Sequence, residues 1–201
     1  QSYLLKSRRC PDQLRREVFM AVERASDGER IRRMAHYDPL TGLANRLTLS
    51  ERFNYATSIA RESDHHIGFI NVDLDRFKKV NDTHGHEAGD ALLRAVAGRM
   101  AAVVRDHDTV ARLGGDEFAL LLTRIDSPAQ VRTVAKRLVE SMRAPFELES
   151  GVLSISASVG CACQHGSQAV LSELMQMSDS HMYNAKRNGR DQVGCALGVV
   201  P

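Results

Sequence analysis

A chain of 201 residues, 43% hydrophobic and 26% charged, has the composition of one globular domain plus an appendage, and a formal charge of +2 leaves no broad field for nucleic acid or a membrane surface. No apolar stretch approaches the roughly 18 residues needed to cross a bilayer, and no secretory leader stands near the start. Four cysteines (Cys10, Cys161, Cys163, Cys195) without CxxC or metal spacing read as thiols of a reducing, cytoplasmic setting; the opening on Gln1 reads as a fragment with its upstream part missing.

From about Pro11 to Ala35 the pattern is helical, with Leu14, Val18, Val22 and Ala25 on one stripe that Asp27-Gly28 interrupts and Ile31, Met34 and Ala35 resume out of phase. That describes either a segmented coiled-coil connector or a plain helix lying on the domain. A domain boundary is placed near His36, giving a connector at 1–35 and a domain at 36–201. The turn-rich segment Asp38–Arg46 then leads into a helix of about Leu47 to Arg61.

His66–Leu74 is a nearly continuous apolar run, the mark of a strand buried on both faces, and it ends in Asp73-Leu74-Asp75. A carboxylate at such an end must be solvated, paired or metal-bound, which makes Asp73 a site candidate. Asp75 has a simpler reading as the cap of a short helix over Arg76–Val80. Asn81–Asp90 is expected to be a polar loop in which His84 and His86 serve as hydrogen-bonding groups, and a helix of about Ala91 to Val104 follows. Arg105 and Asp108 close that helix, in the bare form as a solvated ion pair.

Arg112–Leu122 places Gly114-Gly115 between two apolar runs. Both glycines suit a type I′ hairpin turn, and strand alternation would send Asp116 and Glu117 to opposite faces. One acid then faces a site while the other supports it, unless the corner serves solubility alone. A helix of about Ala129 to Met142 opens on Ser127-Pro128, a strand spans Val152–Cys163, and a last helix runs from about Leu171 to Lys186. Lys186-Arg187-Asn188-Gly189-Arg190 combines a glycine C-cap with three cations, either as dipole complement or as an anion site. Interleaved strands and helices with a central hairpin give an α/β sandwich on a mixed sheet.

Four ordered blocks carry a resemblance across about Tyr37 to Asp191: Asp38-Pro-Leu-Thr-Gly-Leu-Ala-Asn-Arg46, Asp73-Leu-Asp-Arg-Phe-Lys-Lys-Val-Asn81, His86-Glu-Ala-Gly-Asp90 and Tyr183-Asn-Ala-Lys-Arg-Asn-Gly-Arg190. With Gly-Gly-Asp-Glu-Phe118 they are similar to the GGDEF domain of diguanylate cyclases, which fuse two GTP into cyclic di-GMP. Arg143-Ala-Pro-Phe146 and Val110–Phe118 look most like composite proteins that continue into an EAL phosphodiesterase domain.

The resemblance implies an α+β fold with a central mixed, mostly antiparallel sheet flanked by helices, palm-like, behind an N-terminal connector helix. It implies a pair of Mg²⁺ ions, with Mn²⁺ as a substitute, held by Asp73, the Leu74 carbonyl and Asp116, with Asp116 also helping to deprotonate the attacking hydroxyl and Glu117 in support. Lys78, Lys186, Arg190 and amides around Phe77 would meet the β- and γ-phosphates. Asn81 and Asp90 would read guanine, rejecting adenine and disfavouring an adenylyl cyclase or polymerase-like activity, while His86 orients their segment. Arg105 and Asp108, with Arg137, fall where the family carries an inhibitory product site. The partners implied are GTP, cyclic di-GMP, a second copy in a catalytic homodimer, an upstream sensory domain and a downstream EAL domain. The alternative is a catalytically silent GTP- or cyclic di-GMP-binding module of a larger signalling protein. Departures fall at Arg76, often aromatic in relatives, at Asp191, usually asparagine, and at Ser178, commonly alanine.

Overall fold

The computed structural model of the chain describes Met20, residues 33–60 and residues 63–195. The chain divides into two units, Gln1–His36 and Tyr37–Pro201. In the first, Met20 and residues 33–36 are helical; the interrupted stripe expected between Pro11 and Ala35 otherwise lies outside the described residues. No helix among the described residues is long and apolar enough to cross a membrane.

The second unit runs α1 (Arg46–Ala60), β1 (His66–Leu74), α2 (Phe77–His84), α3 (His86–Ala101), β2 (Thr109–Gly114), β3 (Glu117–Ile125), α4 (Pro128–Arg143), β4 (Phe146–Leu148), β5 (Gly151–Leu153), β6 (Ala157–His165), a 3₁₀ turn at Gly166–Gln168, α5 (Leu171–Arg187) and β7 (Val193–Cys195). Five strands form one sheet in the order β2-β3-β1-β6-β7. All neighbours are antiparallel except β6 and β7, so the sheet is mixed and mostly antiparallel, as the resemblance implies.

β1 lies at the centre because its run from Ile67 to Val72 is apolar enough to be covered on both sides. Ile70, Val72 and Leu74 pack with Leu92, Val96 and Met100 of α3 and Val131 and Leu138 of α4. Ile67 and Phe69 face the other way, against Leu49 and Phe53 of α1 and Leu174 of α5. Full burial of one such side chain is worth about 1.5–3 kcal/mol, so the two faces fix the strand's register from both sides.

Three local expectations change. Asn81–Asp90 is not a loop: α2 continues to His84 and α3 starts at His86, separated only by Gly85. The Val152–Cys163 strand divides into β5, which pairs with β4 in a two-stranded sheet, and β6 in the main sheet. The hairpin turn sits one residue later than expected, since Gly114 pairs with Glu117 and leaves Gly115 and Asp116 as the two turn residues. Of these two, Gly115 alone has positive φ (52°), which is the demand of a type II′ rather than a type I′ turn.

Candidate active site

The end of β1 gathers the acids. Asp73 stands directly across from Glu117 on β3 and from Ser158 on β6, and the Leu74 amide donates to the Asp116 carbonyl at 3.3 Å, which stitches the hairpin onto β1. Asp116 lies in the turn and not in the strand, so the two acids do not simply alternate between faces. Glu117 is the cross-strand neighbour of Asp73.

Lys186, reaching down from α5, places Nζ 2.7 Å from Asp73 Oδ2. Burial pushes the Asp73 carboxyl above its ordinary value; the Lys186 ammonium opposes this, and the charges of Asp116 and Glu117 push it further up. One lysine thus faces a crowd of carboxylates, a deficit of positive charge that a divalent cation would relieve. Among the described residues no three His, Cys, Asp or Glu side chains form a ready metal cage. Two carboxylates with backbone carbonyls nonetheless suit Mg²⁺, which completes its shell with waters and substrate phosphates.

The turn itself is pinned by a group that sequence reading passed over. Arg112 donates through Nε and Nη2 to the Gly115 carbonyl (3.0 and 2.8 Å) and through Nη1 to Asp38 (3.0 and 3.2 Å). Burial alone would raise the Asp38 carboxyl, but hydrogen bonds from Thr41 and Arg112 hold it below the ordinary range. The Asp38–Arg46 block is therefore an anchor for the Gly-Gly-Asp-Glu corner.

Arg76 precedes α2 in a left-handed conformation (φ 61°), which turns the chain from β1 into the helix. Phe77 is buried and Lys78 exposed. A Cβ on Gly89 would lie 1.9 Å from Asn81 Oδ1, so the glycine lets the Asn81 amide lie against α3 immediately before Asp90. Asn81 and Asp90 are both half-buried, and His86 is the exposed first residue of α3.

Asp75 does not cap α2, whose cap position is Arg76 without a side-chain bond. It is buried instead, accepting from Ser158 Oγ (2.6 Å), Ser156 Oγ (2.7 Å) and the Asp191 amide (3.1 Å). At the far end of α5, Arg190 donates its amide to the Ala185 carbonyl at 3.0 Å across Gly189 (φ 110°), the outer bond of a Schellman cap.

Arg105 and Asp108 form no side-chain ion pair of the kind the bare motif suggests. The Asp108 side chain is buried and accepts from the amides of Arg105 (3.1 Å) and Thr123 (3.0 Å), leaving the Arg105 side chain exposed. Arg137 reaches from α4 to donate to the Val103 carbonyl, two residues before Arg105.

Residues 35–192 match the family model described as "Diguanylate cyclase, GGDEF domain". The chain is 40% identical over 176 residues to the bifunctional diguanylate cyclase/cyclic di-GMP phosphodiesterase MucR of Pseudomonas aeruginosa, covering 88% of this chain and 26% of MucR. It is 40% identical over 157 residues to the diguanylate cyclase TpbB of the same species, covering 78% of this chain and 36% of TpbB. The chain thus spans about a quarter to a third of the length of these relatives. Among solved structures, the GGDEF domain of TpbB aligns with a TM-score of 0.73 at 38% identity over 78% of this chain and 98% of that one. The coiled coil and GGDEF domain of DgcB from Caulobacter crescentus, in complex with c-di-GMP, aligns with a TM-score of 0.77 at 30% identity, over 92% and 98%. By its sequence blocks, its sheet order and these likenesses, the chain belongs to the GGDEF domain family of diguanylate cyclases.

Proposed function

We propose that this domain is a diguanylate cyclase that joins two GTP molecules into cyclic di-GMP and releases two pyrophosphates. The observation that carries the reading is the crowd of Asp73, Asp116 and Glu117 at one strand end, with only Lys186 set against Asp73. Asn81, whose amide lies against Gly89, and Asp90, the next residue of α3, would supply a donor amide and an acceptor carboxylate for the guanine edge, and adenine would leave that carboxylate unpaired. Lys78, Arg190 and amides around Phe77 would take the β- and γ-phosphates, and Lys186 would turn from Asp73 to the same phosphates when nucleotide arrives.

Mg²⁺, or Mn²⁺ in its place, held by Asp73, Asp116 and the Leu74 carbonyl would neutralise the triphosphate and align the attacking and leaving oxygens. The ribose 3′-oxygen attacks the α-phosphate, its proton passes toward Asp116, the bond to the β-phosphate oxygen breaks and pyrophosphate leaves. Glu117 supports this corner from the first position of β3, and His86 steadies the start of α3. One GTP per domain requires a second copy face to face, so we assign catalysis to a homodimer. In the full protein, residues 1–35 would connect this domain, at 36–201, to an upstream sensory part, with an EAL domain downstream, and the domain would work in the cytoplasm.

Incubating the protein with GTP and Mg²⁺ should yield cyclic di-GMP by chromatography, at a rate rising faster than linearly with protein concentration. GTP bound at high concentration with no product would overturn the cyclase reading and mark a silent nucleotide-binding module. The exposed Arg105 guanidinium, whose fork matches guanine O6 and N7, is assigned with Asp108 and Arg137 to product binding. Arg105→Ala should therefore raise the cyclic di-GMP concentration for half-inhibition by about tenfold or more, with the initial rate unchanged. Unaltered product sensitivity would refute that assignment.

A further inference from the structure

Gly189, Arg190 and Asp191 are the one run of three consecutive positive-φ residues among the described residues (φ 110°, 65° and 49°). Glycine adopts this region freely, but arginine and aspartate enter it rarely, so two such residues in a row must be held there by their surroundings. Two groups from elsewhere in the chain do the holding. Asp75 accepts the Asp191 amide at 3.1 Å and also accepts from the hydroxyls of Ser156, just before β6, and Ser158, its second residue. Arg143, the last residue of α4, donates through Nε to the Asp191 carboxylate (3.0 and 3.2 Å) and through Nη2 to the Asp191 carbonyl (3.2 Å).

One guanidinium thus engages both the side chain and the backbone of a single left-handed residue. An exposed ion pair adds little on its own, but one that also grips the backbone restricts the corner's φ and ψ. Arg190 immediately precedes this doubly anchored residue and borders a cleft of about 630 Å³ with Arg76 and Lys79. A relaxed corner would free its backbone to leave the left-handed region and would take the side chain with it. An asparagine at 191 could accept from Arg143 but would not carry the charge, so the latch as it stands is ionic.

We propose that Asp75 and Arg143 are positioning residues that lock the Arg190–Asp191 corner and so preset Arg190 for the β- and γ-phosphates of GTP. The proposal rests on the assignment of Arg190 to those phosphates, and the test separates the two. Affinities are measured for the non-reacting α,β-methylene analogue of GTP and for GMP, which lacks the β- and γ-phosphates. Arg190→Ala should weaken the analogue about tenfold, the scale of one lost charge-assisted contact, and leave GMP unchanged. Arg143→Ala should weaken the analogue about threefold to tenfold, spare GMP, and cause no further loss in the Arg190→Ala background, since a residue acting only through Arg190 has nothing left to position.

If Arg190→Ala leaves the analogue-to-GMP ratio unchanged, the phosphate assignment of Arg190 falls. If it moves that ratio but Arg143→Ala does not, or lowers both ligands alike, or adds in full to Arg190→Ala, the latch is overturned. Asp75→Asn should behave as Arg143→Ala does. Because Asp75 is buried, the exposed Arg143 and the conservative Asp191→Asn decide the matter if that variant fails to fold; Asp191→Asn should fall between Arg143→Ala and the natural chain.

Discussion

Asp73→Asn is expected to cut cyclic di-GMP formation by about 10³ or more while leaving the domain as stable as before, or more stable. The loss of activity follows from the role proposed for Asp73, whose anionic oxygen would hold the triphosphate's counter-ion. The gain or neutrality in stability follows from the state of the carboxyl in the folded chain. Burial raises it, Lys186 opposes, and Asp116 and Glu117 raise it again, with a net upward shift. A folded-state value above the unfolded one means that the folded chain prefers the protonated acid. That preference stabilises below the unfolded value and is lost as the pH rises through the folded one.

At neutral pH the charged Asp73 is therefore a net cost that a neutral amide removes. Lys186 is 30% exposed and can turn its ammonium to water once its partner is gone. A thermal melt should show an unchanged or higher Tm, by about 2–4 °C for each kcal/mol recovered in a chain of this size. A clear fall in Tm would mean that the Lys186 pair outweighs the burial and the repulsion. The same shift predicts that nucleotide binding with Mg²⁺ weakens on acidification from above the ordinary carboxylate range, since cation binding needs the ionised acid. A site strained by its own charge in the absence of substrate is the signature of function taking precedence over stability.

The sequence made the central strand, the hairpin, the Ser127-Pro128 helix start and the glycine cap of α5 readable, because each rests on residues close together in the chain. What it hid was non-local. Asp75 looked like a cap because its neighbours allow one; its true partners, Ser156 and Ser158, lie 81 and 83 residues further on. Arg112 and Asp38 are 74 residues apart, and nothing in either segment announces the other. Asn81–Asp90 looked like a loop because its polar and glycine content is high, but Asp82–Glu87 are exposed while the buried Phe77, Ala88 and Leu92 hold α2 and α3 to the core. β4, β5 and β7 are three residues each, too short to show a period.

Gly160→Ala is expected to destabilise the domain by about 3 kcal/mol or more, a fall in Tm of about 6–12 °C. A Cβ at Gly160 would lie 1.9 Å from the Ser178 carbonyl oxygen and 2.3 Å from the Met182 amide nitrogen. Both are backbone atoms of α5, so no rotamer change relieves the clash and the helix itself must move. Gly160 pairs across β6 and β7 with Gly194, whose added Cβ would lie 1.9 Å from the His181 carbonyl oxygen. Two adjacent glycines thus form a flat seat into which one turn of α5 settles. Gly98→Ala is the control: it lies within α3 with nothing inside 4 Å of its would-be Cβ, and it should stabilise by about 0.5–1 kcal/mol. The seat matters for chemistry because α5 carries Lys186 to Asp73 and ends at the Arg190 corner. Lifting it by about 1 Å should cost of the order of 10²-fold in turnover among the molecules that remain folded. Activity measured well below the variant's Tm reads that loss separately from unfolding, and an unchanged Tm would mean that α5 does not rest on these glycines.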